Sequence, residues 1–165
     1  PSRPHELNRL ELRICDCITD CDLLLGITAL LELRLLRLFE KPNCLDPLKA
    51  SCLSKEKLAD LSDLNDAAAA QNSLDATLYH WLDGEPILSR EWLCKLLEDV
   101  MPLANDLGML HLLSPIQLVL DQGNKAMQWL KRYSLGYSVE DVVRKSIVEM
   151  EVEEISTTKA EAILG

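Results

Sequence analysis

The feature that most constrains this chain is a leucine-dense run ending just before Pro42. Leu23, Leu24, Leu25, Ile27, Leu30, Leu31, Leu33, Leu35, Leu36 and Leu38 follow one another with too little spacing for an alternating strand. Wound into a helix, they cover most of its circumference, which marks a helix central to a bundle or one that crosses a membrane. Asp20, Asp22, Glu32, Arg34 and Arg37 interrupt the run. A bilayer span needs about 20 consecutive apolar residues, so the bundle reading is favoured. Thr19 or Asp20 supplies the cap, and the helix is expected to run to about Phe39. Gly26 and Ala29 leave room on one side for a neighbour to come close.

The rest of the chain repeats this helical pattern. Lys41 to Ser54 reads as a loop containing Pro42 and Pro47, closed by a capped turn at Ser54. A second long helix is expected from Ser62 to Asp83, with Leu61, Leu64, Ala68, Gln71, Leu74, Leu78 and Trp81 as its inner stripe. Ser89 is placed as the cap of a third, with a kink or a new turn at Pro102. Ser114-Pro115 reads as a cap followed by proline at the first helical position, opening a helix that Gly123 ends. Asn124 restarts a helix through Met127, Leu130 and Tyr133 to Gly136. Ser138 caps the last, whose apolar stripe is Val139, Val142, Val143, Ile147 and Met150. Glu151 to Gly165 reads as a solvated tail or a short docking segment. The fold class is therefore mainly α, a multi-helix bundle with one N-terminal strand or extended arm. Residues 1–155 form a single helical domain, with the arm at 1–18 and helices over 19–155, and 156–165 is a tail.

Charge and cysteine usage narrow the function. The formal net charge is -10, which repels phosphate backbones and argues against nucleic-acid partners and a polybasic membrane anchor. Six cysteines in a chain that is 48% hydrophobic do not suggest a disulfide scaffold. Reduced thiols are the simpler reading. Cys15, Cys17 and Cys21 begin a zinc-like spacing, but structural zinc wants a fourth ligand that the neighbourhood lacks. Cys44 and Cys52 share the proline-containing loop and are redox candidates as a pair, since loop cysteines react only when exposed and thiolate-biased. His80 and His111 have no dyad partner and read as packed or surface residues. Trp81, Trp92 and Trp129 suit core or interface packing.

The one alternating segment is Leu10-Glu11-Leu12-Arg13-Ile14-Cys15-Asp16. Its period of two predicts a half-buried strand. Glu11 and Arg13 then share a face about 7 Å apart, either as a surface ion pair or as a carboxylate and a guanidinium able to hold a metal and an anionic oxygen. A lone strand leaves its backbone groups unpaired, so it needs a sheet from elsewhere or runs as an extended arm.

Several ordered blocks carry a family likeness. They include Pro4 to Asp16, Leu25-Gly26-Ile27-Thr28-Ala29-Leu30, and Asn65-Asp66-Ala67-Ala68-Ala69-Ala70 with Ser73-Leu74-Asp75-Ala76. His80-Trp81-Leu82-Asp83-Gly84, Leu113-Ser114-Pro115 and Gly123-Asn124-Lys125-Ala126-Met127-Gln128-Trp129 continue the series. In these the chain resembles the C-terminal portion of a cyanobacterial-type glutamate–cysteine ligase, of the glutamine-synthetase-like superfamily, or a truncated paralogue of it. The resemblance implies a curved catalytic sheet binding ATP, Mg and glutamate beside a helical remainder. It implies that Glu11 matches a metal-binding carboxylate and Arg13 a catalytic arginine facing glutamate or the transferred phosphate. The larger portion of that enzyme, with its nucleotide site, has no counterpart in these residues. The chain has neither an initiator methionine nor a signal-like start, and reads as a processed product or a segment of something longer.

Two functions follow as expectations. In the first, the chain is a non-catalytic, ligase-derived helical interaction or scaffold subunit of a larger assembly, in a plastid or photosynthetic setting among others. It then needs no cofactor, and protein partners complete the N-terminal strand or pack on the helices. In the second, it is the C-terminal part of an ATP-dependent glutamate–cysteine ligase, with ATP and Mg as cofactors and Glu11 and Arg13 in their implied roles. The cyanobacterial likeness points to a cyanobacterial cytoplasm or a plastid stroma.

Overall fold

The computed structural model describes residue 18 and residues 20–150; Glu11, Arg13, Cys15, Cys17, the expected strand at 10–16 and the segment 151–165 lie outside the described residues. The described part is mainly helical, as expected. Its elements are α1 (Cys21–Glu40), α2 (Pro42–Leu45), α3 (Pro47–Ala50), α4 (Lys55–Asn72), β1 (Thr77–Tyr79), β2 (Pro86–Leu88), α5 (Ser89–Asp106), α6 (Leu110–Gln122) and α7 (Lys125–Ser134). A further helix, α8, covers 139–150.

The core lies where α1, α5 and α6 meet. Each contributes three small or apolar residues at spacings of three and four: Gly26, Ala29 and Leu33; Leu97, Val100 and Ala104; Leu113, Ile116 and Leu120. That spacing keeps one stripe of each helix facing inward. Leu33 and Val100 have no exposed surface. Gly26 sets the approach of α1 to α6, because a Cβ there would sit 2.8 Å from the Leu112 carbonyl oxygen. Asp20 caps α1 by accepting from the Leu23 N–H. Across the top of this core, Asp99 of α5 accepts hydrogen bonds from Arg34 and Arg37 of α1.

Only one side of α1 is central. Leu24, Leu25 and Phe39 are exposed, so its leucine-rich circumference exceeds what the bundle covers. The region after it departs further from expectation. The proline loop folds into the single turns α2 and α3. Ser54 caps α4 directly by accepting from the Lys57 N–H, so α4 starts at Lys55 rather than Ser62. It ends at Asn72 rather than Asp83, and it buries no residue of the expected inner stripe.

The early end of α4 has a local cause. Ser73 adopts φ 54°, the left-handed side of backbone space that costs a serine about 1–3 kcal/mol. This reversal carries the chain through a 3-10 turn, Ser73–Asp75, that buries Leu74 and then Ala76. Thr77–Tyr79, expected to stay helical, instead form β1 of an antiparallel hairpin with β2, pairing Thr77 with Leu88, Leu78 with Ile87 and Tyr79 with Pro86.

Both internal prolines sit within unbroken helices. Pro102 is exposed and lies within α5, where it leaves the Glu98 carbonyl without an i+4 donor. Pro115 does not open α6, which begins at Leu110 after the Gly108 turn. The carbonyl orphaned by Pro115 belongs to His111, and the Ser114 hydroxyl donates to it at 2.7 Å. The serine therefore compensates the proline rather than capping a helix. Gly123, Asn124 and Ser138 act as expected: φ at Gly123 is 83°, Asn124 Oδ1 accepts from the Met127 N–H, and Ser138 Oγ accepts from the Asp141 N–H.

Candidate functional site

Two regions stand out, the hairpin junction and the α7–α8 hairpin. At the first, side chains far apart in sequence read backbone. The Asn65 amide of α4 donates to the Tyr79 carbonyl and accepts from the Tyr79 N–H, both at 2.8 Å, as another strand would. Ser51 Oγ donates to the Trp81 carbonyl, and the Cys52 N–H donates to the Leu82 carbonyl. The segment before α4 is thus strapped to the hairpin turn. His80, expected on a helix, lies in that turn. Its Nδ1 accepts from the Leu82 N–H, and its ring stacks on Trp81 and tilts against Trp92 at centroid distances of 5.4 and 5.1 Å. Beside it His80, Asp83, Glu85, Glu91 and Lys95 edge an open groove of about 280 Å³.

Asn124 joins this junction to the next element. While its Oδ1 caps α7, its Nδ2 donates to Ser73 Oγ at the strained turn. The blocks at 65–70, 73–76, 80–84 and 123–129 are separate in sequence, yet here they form one connected structural unit. The sequence singled out these blocks without revealing what they do. Asn65, Ser73 and Asn124 serve to fix backbone, and no nucleophile–base pair is formed among them.

The second region inverts the usual burial of an amphipathic helix. In α7 the polar residues Lys125, Gln128 and Arg132 are half-buried. The apolar side at spacings of three and four, Ala126, Trp129, Leu130 and Tyr133, is exposed. Tyr133 and Leu130 are 60% and 66% exposed. Lys125 and Arg132 both bond Glu149 of α8, at 3.0 and 2.7 Å. Burial pushes the Glu149 carboxyl up, but the hydrogen bonds and charges of Arg132 and Lys125 outweigh it and hold the group below its ordinary value. On α8 only Val142 and Ser146 are buried. Of the expected stripe Val142 is covered, whereas Val139, Val143, Ile147 and Met150 face solvent.

These two stripes form one surface. The helices are joined at 135–138, and Glu149 of α8 bonds both Lys125 and Arg132 of α7, as a pair that folds back on itself in antiparallel fashion allows. At about 100° per residue, each apolar stripe lies roughly a quarter turn from the Glu149 contact, in the same rotational sense about its own axis. On antiparallel neighbours, equal turns in one sense bring both stripes to the same side. Leu135 and Tyr137 of the connection are exposed as well. Of the 22 large hydrophobic residues that are exposed among the described residues, ten fall within 129–150. Such clustering differs from the singly exposed leucines found elsewhere on the described surface.

The other expected site residues are placed less tellingly. Cys44 and Cys52 are exposed free thiols, one on α2 and one on the strap to the hairpin turn. Cys21, of the three-cysteine spacing, is also free and exposed. Among the described residues no three His, Cys, Asp or Glu side chains gather where they would hold a metal ion. No described helix is long and apolar enough to cross a membrane.

A helical protein with a latched hairpin and an outward apolar helix pair is what the described geometry defines. The family model of glutamate-cysteine ligase family 2 matches residues 2–157, and the chain belongs to that family. No curated protein and no solved structure matches it.

Proposed function

We propose that this chain acts as a non-catalytic, ligase-derived helical interaction module within a larger assembly. The supporting observation is the inverted burial of α7 and α8: a folded domain leaves the strongly amphipathic α7 apolar side out, beside the exposed apolar residues of the next helix. The latched junction at Asn65, Ser73 and Asn124 supports the same role, because it fixes the root of α7 and preorganises the surface. A cyanobacterial cytoplasm or a plastid stroma is the setting suggested by the cyanobacterial-type resemblance.

The test has two arms. A photocrosslinking residue in place of Leu130 is expected to give protein adducts in the native cell, while the same residue in place of the exposed Leu64 on α4 gives none. Loss of the difference between the two positions sinks the interaction role. In the second arm the purified chain is supplied with ATP, Mg, glutamate and cysteine. Release of ADP that depends on both amino acids makes the chain a ligase and overturns the non-catalytic reading.

A further inference from the structure

We propose that the occupant of the α7–α8 surface is a second copy of this chain, the two helix hairpins closing face to face into a four-helix bundle. The inference rests on the interaction reading above and specifies its partner. Three observations on the surface itself carry it.

The first is shape. An antiparallel helix pair with both apolar stripes on one side is half of a four-helix bundle, and a two-fold axis through that side supplies the other half. Trp129, Leu130 and Tyr133 of α7 and Val143 and Ile147 of α8 would meet their own counterparts or each other across the axis.

The second is area. Trp129, Leu130, Tyr133, Leu135, Tyr137, Val139, Val143, Ile147 and Met150 are each 39% to 70% exposed. At these exposures each leaves on the order of 100 Å² open, so together they approach the ~800 Å² per partner of a standard stable interface.

The third is charge. Copies of a chain with net charge -10 repel one another over most of their surface. Residues 124–150 are the exception. They hold Lys125, Lys131, Arg132, Arg144 and Lys145 against Glu140, Asp141 and Glu149, five positive charges against three negative, a net of +2. The remaining residues therefore carry -12 of the -10 total. Meeting through α7 and α8 places the least repulsive surfaces together and keeps the acidic ones apart. On the rim Arg144 pairs with Glu140 within its own helix, so the rim is close to charge-balanced. An isologous contact also closes on itself, whereas docking this surface onto an acidic face elsewhere on a second copy would propagate into open chains.

Sedimentation equilibrium of the 165-residue chain decides the matter. The expected result is a mass twice the 18.6 kDa of one chain, with the dissociation constant falling as salt rises, because salt screens the residual repulsion between acidic copies. Leu130→Glu and Ile147→Glu, at sites already exposed in the monomer, are each expected to weaken the dimer by about 30-fold or more. Their helical circular dichroism is expected to stay unchanged. Leu64→Glu, exposed on α4, is expected to leave the mass unchanged. A monomer at about 100 µM overturns the proposal, as does a dimer that survives both α7–α8 substitutions. A monomer whose Leu130 crosslinker still captures a different protein removes the second copy and leaves the interaction module standing. A monomer without adducts at that position removes both.

Discussion

The α1–α5–α6 core and the α7–α8 hairpin are built from the same materials and use them in opposite directions. In the core, residues at spacings of three and four turn inward, so that Ala29, Leu33, Val100 and Ile116 are almost fully covered. In α7 the same spacing turns Trp129, Leu130 and Tyr133 outward. Each region also fastens two helices with a carboxylate held by two cations: Asp99 by Arg34 and Arg37, Glu149 by Lys125 and Arg132. In the core this bridge lies at the border of an apolar contact. In the hairpin it joins the two helices while Trp129, Leu130, Tyr133, Val143 and Ile147 stay exposed. The difference teaches that an amphipathic pattern specifies that a helix has two faces without specifying which face meets its own domain.

The comparison breaks most visibly if equal truncations give equal losses. Leu33→Ala removes a fully covered side chain and is expected to lower unfolding free energy by about 3 kcal/mol, from the lost transfer energy and the cavity left behind. Urea denaturation of the monomer measures this, and a loss below ~1 kcal/mol would show that α1 is not the centre of the core. Gly26→Ala comes next. The added methyl meets the Leu112 backbone at 2.8 Å, and backbone on both sides yields poorly. The strain is expected to exceed the ~1 kcal/mol that alanine gains in helix propensity, for a net loss of about 1–2 kcal/mol.

The ion-pair contrast gives a smaller effect with a definite pH dependence. Burial pushes the Asp99 carboxyl up, but the hydrogen bond from Arg37 and the charges of Arg37, Arg34 and Lys41 outweigh it, and the group titrates below its ordinary value. A carboxylate with a depressed folded value contributes stability at pH above the unfolded value, near 3.9, and loses it as pH falls through the folded one. Asp99→Asn is therefore expected to cost about 1 kcal/mol at neutral pH, as a partly exposed network pair does. The gap from the parent should shrink progressively below about pH 4. A gap that persists at pH 2 would assign the loss to packing rather than charge. The smallest effect is at Leu130. Leu130→Ala is expected to change monomer stability by no more than ~0.5 kcal/mol, because that side chain is already in solvent. A larger loss would mean that it belongs to the core after all.

Much of the local structure was legible in the sequence because its causes are local. Asp20, Asn124 and Ser138 announce helix starts by a side chain that accepts from a backbone N–H three residues on, while Ser54, expected to cap only a short turn, starts α4 in the same way. Gly123 announces an end because it takes a positive φ without strain. The hairpin was not legible. Alanine-rich Asp66 to Gln71 and the apolar spacing through Leu78 and Trp81 favour one long helix. It is interrupted by a strained serine whose hydroxyl meets Asn124, 51 residues away. The same holds for Asn65, whose amide substitutes for a strand partner and looks in sequence like any exposed helical polar residue. Ser114-Pro115 misled for another reason. The motif that starts helices also repairs them when the hydroxyl takes the carbonyl that proline abandons. The site reading on Glu11 and Arg13 concerns residues outside the described part, and Cys44 and Cys52 are placed as free, exposed thiols.

By itself the sequence determined that this is a helical, acidic chain with the ordered blocks of its family, because periodicity, composition and capping act over a few residues. Tertiary structure alone decided which faces are covered. Burial depends on what lies opposite a helix, and that is set by contacts between residues tens of positions apart, such as Gly26 with Leu112 and Ser73 with Asn124. The leucine pattern of α1 and the aromatic pattern of α7 each announce an apolar stripe in sequence. The inner stripe of α1 is packed, whereas the apolar side of α7 is left open.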